Sequence, residues 1–305
     1  EVIRKMIIAI TGSSGFIGKL LVDRHIQQGD QVRLLSRKTP LKGVNAEYFL
    51  GDLSNPNVDL TSFLDGVDIL YHCAGEVGNE SLMQELHVNG TQRLADAAQG
   101  KIGRWVQLSS VGVYGVCRTS VITEDSKELP FGVYEQTKTE SDNIVKNSGT
   151  PYVIIRPSNV FGNDMPNQSL RSLLYVARKG LFFFIGKENT SLVNYVHVTD
   201  VVEALIRCGS DDKALGEVFN LSQSTTVEKM ITSFESDKKI LRLPEWIVRI
   251  IAGIFGWVPR FPLTPSRVDA LTGRCVYNST KVQKVLGFKY SMTLEEGFEL
   301  FAKQK

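Results

Sequence analysis

The sequence predicts an α/β protein built on a doubly wound parallel sheet, with a smaller, discontinuous C-terminal lobe. Three observations predict it. Short β-branched runs at 7–11, 32–35, 46–50, 67–73, 105–109 and 152–156 alternate with helical patterns at 16–28, 82–99 and 134–147. The runs are continuously apolar, as strands buried between two helical layers must be. A glycine-rich turn joins the first run to the first helical pattern, and strand–helix alternation implies right-handed βαβ units.

After Pro157 the rhythm loosens into Gly/Asn/Pro-rich loops, a helix at 170–179, a strand near Tyr195, a helix at 200–208 and a late helical region. Residues 218–221 again read as a sheet strand. The expected division is therefore a dinucleotide-binding domain over 1–160, with segments near 195–222 returning to it, and a substrate lobe drawn mainly from 161–305.

Composition sets the outer bounds. A chain of 305 residues buries ~75% of its unfolded surface and needs no metal or disulfide staple. With 42% hydrophobic and 22% charged residues it is neither disordered, coiled coil nor collagen. Thirty-five basic against thirty-three acidic residues leave +2, so charge points to no nucleic-acid partner. Cys73, Cys117, Cys208 and Cys275 lack zinc spacing and read as buried, reduced thiols, so no metal is expected. No signal-peptide pattern opens the sequence, and the apolar stretch 246–258 is too short and too interrupted to span a bilayer. It reads as an amphipathic helix; a cytoplasmic protein without a membrane partner is expected.

Thr11-Gly12-Ser13-Ser14-Gly15-Phe16-Ile17-Gly18 carries the first chemistry. Gly12 suits the strand-to-helix turn, Gly15 a close approach to a pyrophosphate, and Gly18 tight packing of helix on strand. Free N–H groups and the helix dipole at the start of 16–28 attract phosphates. Where an NAD site carries an acidic side chain after its second strand, this chain has Ser36-Arg37-Lys38. Two cations and no carboxylate favour a 2′-phosphate, hence NADP over NAD; the alternative is a pair of solvated loop charges. Asp52 either bonds the adenine amino group or serves the turn at Ser54-Asn55-Pro56.

Tyr134 and Lys138 stand four apart and share one helical face. A phenol with a reference pKa of ~10 needs a nearby cation to work as an acid–base group at neutral pH, and Lys138 offers one. Ser110 ends the strand at 105–109, at the carboxyl edge where α/β sheets bind ligands. Together the three form a Ser/Tyr/Lys set for moving a proton while hydride moves at carbon.

With these residues in view the chain resembles the extended short-chain dehydrogenases/reductases of the NAD-dependent epimerase/dehydratase type. That group includes nucleotide-sugar epimerases and 4-ketoreductases as well as 3β-hydroxysteroid dehydrogenases. The resemblance covers nearly the whole chain, through 11–18, Gly51-Asp52-Leu53, His72-Cys73-Ala74-Gly75, Val88-Asn89-Gly90-Thr91, 109–115, 134–138, 156–162 and 195–201. It implies a Rossmann fold with Ser110, Tyr134 and Lys138 catalytic. It also implies that Lys138 holds the nicotinamide ribose, that Pro157, Asn159 and Val160 flank the nicotinamide, and that Ala74 and Gly75 line the adenosine-pyrophosphate channel. Leu53 and Asn89 join the implied cofactor set; as a helix-internal residue, Asn89 equally suits a purely structural bond to a strand backbone.

Within the group, nucleotide-sugar epimerases carry an Arg-Asp pair where this chain has Val193-Asn194, which weighs against 4-epimerisation. Lys187, Arg260, Arg267 or Arg274 remain available for a substrate diphosphate. The expected activity is NAD(P)-dependent chemistry at a secondary alcohol or ketone of a nucleotide-activated sugar, 4-keto reduction ahead of epimerisation. A dehydrogenase for a sterol-like or other lipid alcohol is the alternative, motivated by 243–251; a non-catalytic NADP sensor is a third, opposed by the intact proton-transfer set. A homodimer is compatible with all three.

Overall fold

The computed structural model describes residues 5–38, 45–117, 120–234, 240–258 and 263–303. In its N-terminal half run β1 (Ile7–Thr11), α1 (Phe16–Gln28), β2 (Gln31–Ser36), β3 (Glu47–Leu50), α2 (Thr61–Leu64), β4 (Val67–His72), α3 (Glu80–Met83), α4 (Gly90–Ala98), β5 (Ile102–Leu108), β6 (Val121–Ile122) and α5 (Val133–Asn147). Then follow β7 (Tyr152–Pro157), β8 (Asn159–Phe161), α6 (Ser169–Arg178), β9 (Phe183–Ile185), β10 (Leu192–His197), α7 (Val198–Ser210), β11 (Val218–Leu221) and β12 (Gln223–Thr226). The chain closes with α8 (Val227–Thr232), β13 (Leu241–Leu243), α9 (Glu245–Phe255), α10 (Pro265–Thr272), β14 (Val276–Tyr277), α11 (Thr280–Leu286) and α12 (Leu294–Lys303).

Seven strands form one parallel sheet in the order β11-β7-β5-β4-β1-β2-β3. Strand order reverses between β1 and β4, where neighbouring crossovers leave on opposite faces and open a crevice at the carboxyl edge. Alternation along β1 shows why its run is apolar throughout. Ile8 and Ile10 pack on one face with Leu21 and Val22 of α1 and Val201 and Leu205 of α7. Ala9 faces the other side, among Phe63, Leu94 and Val145. A second core, around Phe161 and Phe298, joins α6, α8 and α12 to the three-stranded sheet β12-β10-β8.

Two expectations are corrected. The helix expected over 82–99 is interrupted by a π-turn at Gln84–Asn89, where the Gly90 N–H reaches back five residues to the Glu85 carbonyl. Gly90 packs against Leu53, where a Cβ would lie 3.1 Å from that residue's backbone oxygen, and the extra residue in the turn accommodates this contact. Secondly, the four cysteines are free but only Cys208 and Cys275 are buried; Cys73 and Cys117 sit half-buried on loops that follow strand ends.

Candidate active site

The carboxyl edge of the sheet assembles the phosphate cradle first. Gly12 has φ +70°, and a Cβ there would lie 2.6 Å from the Ala74 nitrogen, so turn and neighbouring strand end meet only through glycine. At Gly18 a Cβ would strike the Gly12 carbonyl oxygen at 2.2 Å, locking helix onto turn. Gly15 caps α1 with extended backbone and no side-chain bond, and no acidic residue stands in the first turn of α1. The N–H groups of Phe16, Ile17 and Gly18 therefore point out of an uncapped helix start, an arrangement suited to a pyrophosphate. Ser14 is exposed at the loop crest. The side chains of Phe16 and Ile17 serve packing instead: Phe16 lies against the second core and Ile17 against the first. This cradle has room for a dinucleotide only because side chains are missing from it, and the residues present fit the group.

Arg37 and Lys38 are exposed just past β2, in a turn held by Ser36, whose hydroxyl donates to the Lys38 carbonyl at 2.9 Å. Asp52 stands nearby. Against partial burial, which opposes ionisation, hydrogen bonds from Ser54 and the charge of Arg37 hold its carboxyl below the usual carboxylate range. Its Oδ1 accepts from the Ser54 N–H (2.9 Å) and hydroxyl (2.6 Å), so Asp52 does serve the turn at Ser54-Asn55. Leu53 is buried in the core and offers the edge no side chain. Asn89 is placed on the exposed side of the π-turn, its amide donating to Glu85 at 2.6 Å and not to a strand backbone, the alternative to its implied place in the cofactor set.

Two histidines to which the sequence reading gave no role organise the middle of the edge. His72, at the end of β4, takes a proton from Thr11 Oγ1 at Nδ1 (2.6 Å) and meets Thr91 at Nε2 (3.0 Å). Burial, then the charge of Lys138, lowers it to about 3. His87 Nε2 accepts the Glu76 N–H at 2.8 Å, which puts its proton on Nδ1, donating to Thr137 Oγ1 at 2.8 Å. Burial and Lys138 bring it down to about 4. Both rings are neutral. The His87 ring lies beside Gly75 and meets Tyr134 edge-on, centroids 5.7 Å apart, which holds the plane of the phenol.

Tyr134, Lys138 and Ser110 do come together. Tyr134 and Lys138 lie on one face of α5, and Ser110, whose Oγ accepts the Gly112 N–H at 3.1 Å, lies near enough to the phenol to favour its ionised form against burial. The electrostatics differ from expectation. Burial, aided by the charges of Glu135 and Asp142, pushes the phenol up to about 12. The Lys138 Nζ donates to the Leu108 carbonyl at 2.7 Å. Burial lowers the Lys138 ammonium, and the carboxylate of Asp142 opposes that shift. Tyr134 in this geometry keeps its phenolic proton at neutral pH.

Beneath the set runs a buried charge network that the motifs did not include. Asp142, one turn beyond Lys138, is fully buried; its Oδ2 accepts from Ser109 (2.8 Å) and from Arg156 Nε (3.2 Å) and Nη2 (3.0 Å). Arg156 also reaches Glu128 at 2.5 Å and the Tyr114 hydroxyl at 3.1 Å, which passes on to Asn220. Extending the Tyr134/Lys138 face by four residues would have found Asp142. Pro157 ends β7 in register with Leu221; Asn159 is exposed and bonds the Asn194 carbonyl at 3.0 Å, while Val160 packs on the core. The network thus ties the strand ends bearing Ser110 and Pro157 to one helix.

Beyond β10 lies a cleft of about 940 Å³, lined among others by Lys187, Arg242, Trp246, Arg249 and Arg274. Of the cations expected to meet a diphosphate, Lys187 and Arg274 are here; Arg267 is not in the lining, and Arg260 lies outside the described residues. Arg242 and Arg249 were missed, and both are engaged, with Glu228 (2.9 Å) and with Glu245 and Asp269 (2.8 Å each). Arg274 stands 3.8 Å from Glu245 and Lys187 is exposed. Val193 is buried, and Asn194 bonds the Cys275 carbonyl and Ser224, so neither brings charge to the cleft.

Comparison with known proteins agrees with this geometry. UDP-glucose 4-epimerase of Vibrio cholerae is 26% identical over 96% of this chain and 93% of its own. The dTDP-6-deoxy-L-talose 4-dehydrogenase (NAD(P)(+)) of Kitasatospora kifunensis is 27% identical over 83% and 91%, and the sterol-4-alpha-carboxylate 3-dehydrogenase of Saccharomyces cerevisiae 25% over 95% of each. Among solved structures, UDP-glucuronic acid 4-epimerase from Bacillus cereus in complex with NAD superposes with a TM-score of 0.73, at 20% identity, over 98% of this chain and 97% of that one. Residues 8–222 match the model of the NAD dependent epimerase/dehydratase family, and with the cradle and the Ser110/Tyr134/Lys138 cluster in place the chain belongs to that family of nicotinamide-dependent enzymes.

Proposed function

We propose that the protein is an NADP-preferring ketoreductase acting on a nucleotide-activated sugar. One observation carries the substrate class: the cleft beside β10 combines Lys187 and Arg274, cations with spare capacity for a diphosphate, with the broad indole face of Trp246 for a base. The direction of reaction follows from Tyr134. A phenol held at about 12 is protonated at neutral pH and ready to donate to a nascent alkoxide.

The nicotinamide cofactor, when bound, supplies the hydride. The residues of α1's first turn hold its pyrophosphate, Arg37 and Lys38 its 2′-phosphate, and Ala74 and Gly75 the channel between. Pro157, Asn159 and Val160 border the ring, and Lys138 meets the ribose. Ser110 uses its Oγ lone pair on the Gly112 N–H, which leaves its proton for the substrate carbonyl oxygen. Tyr134 then delivers the proton to that oxygen.

Two measurements test this reading. NADP(H) binds more tightly than NAD(H) in calorimetric titration, and Arg37→Ala removes most of the preference, since a charge-assisted phosphate contact contributes ~1.5–3 kcal/mol. Equal affinities in the unmutated protein would refute the NADP assignment. For the substrate, UDP or dTDP at ~100 times its Kd raises stability by about 2.7 kcal/mol, a shift that Lys187→Ala with Arg274→Ala abolishes. No nucleotide shift, set against a clear one with sterol-like alcohols, would transfer the site to a lipid alcohol. That second reading has its own support in Leu243, Pro244 and Trp246, which make one wall of the cleft apolar.

A further inference from the structure

Helix α9 leaves an apolar face uncovered. Its buried side is narrow: Val248 and Ala252 pack against Ile185 and Val268. On the opposite side Trp246, Ile250 and Ile254, with Trp257 just past the helix, recur at helical spacing and are 65%, 52%, 56% and 80% exposed. Such a stripe is larger and more aromatic than scattered surface apolar residues, and marks a surface that meets another phase. Tryptophans at both ends suit a membrane interface, where an indole sits with its ring in the acyl boundary and its N–H toward water.

Charge selects the occupant. Residues 240–277 hold five arginines and two acidic residues, so this one segment carries more net positive charge than the whole chain, which totals +2. Arg242, Arg249 and Arg274 of that set line the cleft, and Trp246 belongs both to the cleft wall and to the exposed stripe. A second copy of this chain would bring an equally basic surface against it; anionic headgroups complement it. No helix among the described residues is long and apolar enough to cross a membrane, so the helix can lie only in the surface plane.

We propose that α9 docks the protein on the surface of a lipid bilayer containing anionic headgroups, with the mouth of the cleft at Trp246 meeting the interface. Docking is independent of whether the substrate is a nucleotide sugar or a lipid alcohol. The test is co-sedimentation of the full chain with vesicles of phosphatidylcholine alone and of a phosphatidylcholine–phosphatidylglycerol mixture. Binding to the mixed vesicles, with a blue shift of tryptophan emission, is expected. Ile250→Glu with Ile254→Glu lowers that partitioning roughly tenfold or more while leaving thermal stability and cofactor binding unchanged. Equal sedimentation with and without phosphatidylglycerol, or an unaltered partitioning of the double variant, would overturn the proposal. So would a dimer in sedimentation velocity that the double variant dissociates, since a second copy then covers the face.

Discussion

Tyr134→Phe is expected to leave folding and NADP binding intact and to lower turnover by ~10²–10⁴-fold, the usual worth of a positioned proton donor. The ring keeps its edge-on contact with His87, and only the hydroxyl that meets Ser110 is lost. The pH profile carries a second signature. Because burial raises the phenol to about 12, the protonated form needed for ketone reduction persists through neutral pH, and reduction stays level there. The reverse reaction needs the phenolate, so alcohol oxidation climbs with pH up to the alkaline limit of the fold. A Tyr134→Phe protein with unmutated turnover, or an oxidation rate indifferent to pH in the unmutated enzyme, would remove Tyr134 from the chemistry.

Arg156→Met is expected to cost about 3–5 kcal/mol of stability, because it removes the cation hydrogen-bonded to the fully buried Asp142 carboxylate. Asp142 is fully buried and Arg156 almost so, whereas Arg207 and Glu203 form a half-exposed pair at 2.9 Å. Arg207→Met therefore costs under about 1 kcal/mol and serves as the control in denaturant titrations. Equal costs for the two variants would show that the buried network contributes no more than a surface pair. Loss of Arg156 also frees the end of β7, so nicotinamide cofactor affinity falls with it.

Local signals are what the chain makes readable. The run 7–11, the helix 16–28 and the run 218–221 coincide with β1, α1 and β11, since each is bounded by glycine or by a change of hydrophobic period within a few residues. The cradle and the Tyr134/Lys138 pair were readable for the same reason: a tight turn and an i,i+4 spacing are geometry written in consecutive residues.

Contacts between distant segments are not written that way. For Asn89 the resemblance implied the cofactor and the structural alternative a strand backbone, but at the end of the π-turn its amide donates to Glu85. Lys138 was expected to favour a phenolate, yet its ammonium donates a hydrogen bond to the Leu108 carbonyl, thirty residues away, and burial dominates at Tyr134. Arg242 of β13, Arg249 of α9 and the loop residue Arg274 converge on Lys187 in the loop after β9. The sequence by itself determined the sheet, the cradle and the Tyr134/Lys138 spacing on one helical face. Only the tertiary structure decided the protonation of that pair and the exposure of α9, because desolvation and burial depend on every element packed around a group and not on its neighbours in the chain.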